Sequence, residues 1–150
     1  MIKPHGSTEL NPLYVDNAKQ REALLAEAES LPSLLLNSAA AANAVMLGGG
    51  YFNPLTGYMN LADSLSVAEH MHTTSGLFFP VPIVNMTDDT SIVAGSRIAL
   101  RDPNVEGNPV LAIMDVDAVE AVSDEQIAFM AEKIFRTLDD QHPGVSTFKS

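Results

Sequence analysis

The chain has 150 residues with 46% hydrophobic and 18% charged content, so it reads as globular, because disorder requires few apolar residues together with high charge. Its formal net charge of −11 and its scattered Lys and Arg oppose a phosphate-tracking nucleic-acid surface and disfavour anionic membranes. The absence of cysteine excludes disulfides, thiolate metal sites and a cysteine nucleophile, and fits a reducing, cytoplasmic setting.

This length predicts one domain over residues 1–150, enough to bury about 68–70% of the surface its unfolded chain exposes. The first residues, MIKPHGSTELNP, contain no apolar core of a secretion signal. The longest apolar run, 77–84, is well short of the ~20 residues that span a bilayer. Pro80 and Pro82 also interrupt it.

In chain order, Asp16 is expected to cap a first helix running through Ser30, with Leu24, Leu25, Ala28 and Leu31 as its apolar stripe and Pro32 as its stop. Residues 33–36 read as a short strand. Asn37 or Ser38 then caps an alanine-rich helix ending at Gly48. Asn60 caps a third helix to about His72, with Leu61, Leu65, Ala68 and Met71 inward and Asp63, Ser66 and Glu69 outward.

From Gly76 the periodicity shortens, and the runs 77–85, 96–102, 108–116 and 117–122 read as strands separated by turns. Pro80 and Pro82 remove two amide donors from one edge of the first run, which is expected at a sheet edge or bulge. Ser123 and Gln126 have the spacing of a capping box. The helix behind them places Ile127, Met130, Ala131 and Ile134 on one face and ends near Arg136. Asp139, Asp140, Pro143 and Gly144 then suggest a turn, and 145–148 a final strand. The pattern is α+β in one mixed domain, with helices mainly in the first half and strands mainly in the second.

Few residues invite chemistry. Gly48-Gly49-Gly50 is not followed by the Lys-Ser/Thr of a phosphate loop and reads as a helix end. His70 and His72 point about 200° apart around a helix axis and so cannot share an ion. In a strand, Asp115 and Asp117 would share one face, as a divalent cation requires, but exposed acidic alternation is the commoner reason for that pattern. Arg101-Asp102 either forms a local salt bridge leading into the Pro103 turn or contributes to an interdomain surface, and neither residue reads as catalytic. The restricted Pro143 and permissive Gly144 after His142 indicate a shaped turn rather than an acid-base site. Gly57 marks an expected tight backbone site between the second and third helices.

Arg101-Asp102-Pro103, Gly107-Asn108-Pro109-Val110-Leu111-Ala112, Thr137 and His142-Pro143-Gly144-Val145, together with the upstream segment GGGYFNPLTGYMN at 48–60, occur in an order that resembles the N-terminal domain of sulfate adenylyltransferase, or ATP sulfurylase. The resemblance covers most of the chain. It implies a PUA-like fold, a small β pseudo-barrel with flanking helices. The parent reaction is attack of a sulfate oxygen on the α-phosphate of ATP, with release of pyrophosphate and formation of adenylyl sulfate.

That chemistry resides in a following nucleotidyltransferase domain with a Gln-x-Arg-Asn-Pro-x-His-x-x-His signature. In this chain neither Asn53-Pro54 nor Asn108-Pro109 follows an Arg, and no His-x-x-His pair occurs. The resemblance therefore implies a chain inactive alone, with no catalytic, cofactor-binding or metal-ligating residue of its own. ATP and magnesium belong to the parent enzyme, the missing catalytic domain is the principal partner, and the open end at Phe148-Lys149-Ser150 is expected to lead into it. The His142 turn would lie near that junction, and self-association is a further expected contact. The rival expectations are an RNA-binding PUA-like module, which the net charge opposes, and an autonomous protein-interaction domain.

Overall fold

The computed structural model describes residues 2–149. In chain order its elements are α1 (Ala18–Ala28), β1 (Ser33–Leu35), α2 (Ser38–Gly48), α3 (Leu61–His70), β2 (Arg97–Arg101), β3 (Val110–Asp115), α4 (Asp124–Phe135) and α5 (Pro143–Lys149). Five helices and a three-stranded sheet among the described residues bear out the α+β reading. The fold divides into two compact units: residues 2–58 with Asn85–Val119, and Met59–Val84 with residues 120–149. Ser150, at the expected open end, lies outside the described residues.

The first unit is built on the sheet, in the order β1-β2-β3. The central strand β2 pairs parallel with β1, Ser33 opposite Ala99, and antiparallel with β3, Arg97 opposite Asp115. A bulge at Leu100/Arg101 ends the regular antiparallel ladder. Ile98, Ala99 and Leu100 are all buried, as expected for a central strand covered on both faces. Leu34, Leu36, Ala40, Ala41, Ile92 and Val116 complete this core with Ile98 and Leu100.

Asparagine side chains start the first three helices, because each accepts a backbone N–H that has no partner within its helix. Asn17 caps α1 through Gln20 N at 2.9 Å, and Asn37 caps α2 through Ala40 N at 2.8 Å. The cap of α1 is thus one residue later than expected, at Asn17 rather than Asp16. Its helix also stops at Ala28, short of Ser30, and Leu25 stays 40% exposed.

In the second unit Asn60 caps α3 through Asp63 N at 2.8 Å. Helix α3 buries Ser64, Val67 and Ala68. The expected inward face is rotated accordingly: Met71 is exposed and forms a left-handed C-cap at φ 55°, ending the helix before His72. Helix α4 carries the full capping box. Gln126 N donates to Ser123 Oγ at 3.2 Å and Ser123 N donates to Gln126 Oε1 at 3.0 Å. Its buried residues are Met130 and Ala131, and Arg136 closes it at φ 59°.

Three predicted strands are absent as strands. Residues 77–85 form only a bridge from Phe78 to His72, after which Pro80 and Pro82 deny the ladder two donors and Ile83 N turns to Met59 Sδ at 3.5 Å. Residues 117–122 are irregular, and Glu120 there accepts Leu61 N at 2.8 Å, satisfying a free donor at the start of α3. Residues 145–148 belong to α5, because Pro143 suits a first helical position and the His142 ring accepts the following amides.

Candidate functional site

The first unit holds an open cleft of about 630 Å³, within the size range of small-ligand sites. The amino-terminal segment contributes Leu13 and Tyr14, α1 contributes Leu24 and Leu25, α2 contributes Val45, and β3 contributes Leu111 and Ile113. Periodicity foretold each helix but not this meeting of faces. Its polar groups are few: Arg21, Thr56 and Arg97 reach the lining, and Tyr58 lies at its inner side.

Arg97 is already occupied. Its Nη1 donates to both Asp115 oxygens at 2.7 and 2.9 Å, and its Nε donates to Glu27 Oε1 at 2.7 Å. The hydrogen bonds to Asp115, then those to Glu27, raise its pKa above the ordinary arginine value. Tyr58 donates its hydroxyl to the Ala40 carbonyl at 2.8 Å, and burial pushes its pKa up to about 12. The cleft thus offers an apolar surface with the single additional cation of Arg21. A triphosphate is recognised by several convergent donors and cations, which this lining does not supply.

Gly57 borders the cleft, but a Cβ built on it meets no atom within 4 Å, so the expectation of a tight backbone site there is corrected. Asp115 is engaged by Arg97, and the exposed Asp117 follows the end of β3, so the two aspartates are not two rungs of one strand. Among the described residues no group of three or more His, Asp and Glu could hold a metal ion. Among the same described residues, no helix is long and apolar enough to cross a membrane.

The Arg101-Asp102-Pro103 corner leaves the end of β2. Arg101 Nε donates to Ser33 Oγ at 3.0 Å, its Nη1 donates to the Asn108 carbonyl at 3.3 Å, and its Nη2 lies 3.8 Å from Glu29. Its carboxylate partner is therefore Glu29 rather than Asp102. The Asp102 carboxylate instead accepts Asn104 N at 2.8 Å, tightening the turn. Asn108, left-handed at φ 45°, donates through Nδ2 to the Asp102 carbonyl at 2.9 Å.

His142, Pro143 and Gly144 form the start of α5 in the second unit. His142 Nδ1 accepts Gly144 N at 3.2 Å and Val145 N at 3.4 Å, so the ring acts as a helix cap. Phe135 stacks beside it at 5.3 Å between centroids. A Cβ on Gly144 would sit 2.5 Å from that Phe135 ring, which explains a glycine here by close approach rather than by turn conformation. The residues singled out by sequence are thus divided: Gly57 lines the cleft, whereas the Arg101 corner and the His142 cap are separate features.

Residues 2–150 match the family model described as PUA-like domain. The chain is 60% identical over 149 residues to sulfate adenylyltransferase of Alcanivorax borkumensis, covering 99% of this chain and 37% of that protein. It is also 60% identical over 151 residues to sulfate adenylyltransferase of Allochromatium vinosum, covering 100% of this chain and 38% of that protein. The chain therefore spans little more than a third of the length of these relatives. A solved structure described as the hexameric APS kinase from Thiobacillus denitrificans aligns with a TM-score of 0.66 and 34% identity, over 83% of this chain and 24% of that one. Matched by that family model from residue 2 to residue 150, the chain belongs to the PUA-like domain family.

Proposed function

We propose that this chain is the amino-terminal, PUA-like part of a sulfate adenylyltransferase and acts there as a non-catalytic support. The observation that carries the reading is the 60% identity to proteins of that name across 99% of the chain. The sequence lacks the Arg-Asn-Pro and His-x-x-His elements of the nucleotidyltransferase signature, and the cleft has an apolar lining with one unengaged arginine. Both fit a part that leaves the reaction to other residues.

In the parent reaction, sulfate oxygen attacks the α-phosphate of ATP and pyrophosphate leaves, with magnesium and electropositive donors stabilising the phosphoryl charge. This part would hold a partner domain, with the Arg101 corner of the first unit and, separately, the His142 cap of the second as ordered features suited to interdomain contact. Self-association belongs to the same reading, since the structural relative is described as hexameric. A cytoplasmic setting is part of the same proposal.

The test is pyrophosphate release from ATP and sulfate. The 150-residue chain should give none above background, and the enzyme that includes the remaining two thirds should turn over. Release by the chain alone at enzymatic rates would refute the support role.

A further inference from the structure

We propose that residues 5–15 form a strap latched by one side chain, Asn53, and that opening the strap widens the candidate cleft without unfolding the sheet. Asn53 is only 5% exposed, and its amide bonds the strap at three residues, His5, Ser7 and Asn11. Its Oδ1 accepts Asn11 N at 3.0 Å, and its Nδ2 donates to the His5 carbonyl at 2.8 Å and to Ser7 Oγ at 2.7 Å. An amide cut off from water must find its partners within the protein, and here all three lie on one segment 42 to 48 residues away in sequence.

The rest of the strap is irregular and close to the surface. It contains no helix or strand, and Leu10, Leu13 and Tyr14 remain exposed. Leu10 and Pro12 lie over the bare backbone of Gly50, where a Cβ would approach them to 3.4 Å. Leu13 N and Tyr14 N both donate to the Gly48 carbonyl, at 2.8 and 3.0 Å, at the end of α2. Segments with few buried apolar groups and exposed hydrogen bonds open locally, at lower free energy than the core.

Leu13, Tyr14 and Val15 make one wall of the cleft, whereas Asn53 is not part of its lining. Asn53 is therefore a positioning residue, acting on the cleft through the strap. Its influence reaches Leu13 and Tyr14 although their amides are bonded to Gly48 and not to Asn53 itself.

Amide hydrogen exchange on Asn53→Ala separates this from a general loss of stability. The latch predicts that exchange at Leu13 and Tyr14 accelerates at least about tenfold, while that at Ala99, bonded to the Pro32 carbonyl in the sheet, is unchanged. Asn11→Pro deletes the donor to Asn53 from the exposed side and should produce the same local change, which keeps the test available if Asn53→Ala does not fold. Unchanged exchange at Leu13 and Tyr14, or a parallel rise at Ala99, overturns the proposal.

Discussion

Gly144 and Tyr58 show how single side chains set local limits. An alanine at Gly144 would favour α5 by up to ~1 kcal/mol through helix propensity, but its methyl would meet the Phe135 ring at 2.5 Å. Overpacking of this kind costs about 1–3 kcal/mol, so the clash wins. Gly144→Ala should lower the urea midpoint. Tyr58 gives a pH signature: its pKa rises from 10.0 to about 12 in the folded state because burial disfavours the phenolate. The stability this adds is fully present below the unfolded value, near pH 10, and is lost as pH rises through about 12. Tyr58→Phe should be less stable than the parent by about 0.5–1.5 kcal/mol near neutrality, for the lost hydrogen bond, with the gap closing above pH 10. Denaturation of both proteins across that range measures it.

At the scale of elements, what the sequence made legible were the local signals. Asn37, Asn60 and the Ser123/Gln126 box each satisfied free amides of their own helix, and those contacts depend only on near neighbours. Ser123→Ala should cost about 0.5–2 kcal/mol in the same denaturation experiment. Asp16 and Asn17 are adjacent and both able to cap, so composition could not choose between them. Residues 77–85 and 117–122 read as strands because apolar alternation reports burial, not a ladder partner. Segment 145–148 carries β-favouring residues, but the local helix start of His142 and Pro143 overrode them. The cleft was illegible for a different reason: its walls come from a segment, two helices and a strand distant in sequence, and no local pattern records their meeting.

At the scale of the whole molecule, a net charge of −11 and an apolar cleft fit the proposed support role better than they fit a nucleotide site. Polyphosphate recognition needs clustered cations, and here Arg97 is already claimed by Asp115 and Glu27 while Arg101 is held by Ser33, Asn108 and Glu29. The chain matches the PUA-like domain model and spans little more than a third of its 60% identical relatives, and the proposed support role rests on that likeness. The most direct measurement is calorimetric titration of the 150-residue chain with a non-hydrolysable ATP analogue and magnesium. The support role predicts no saturable heat at millimolar nucleotide, whereas a saturable site with micromolar Kd would contradict it.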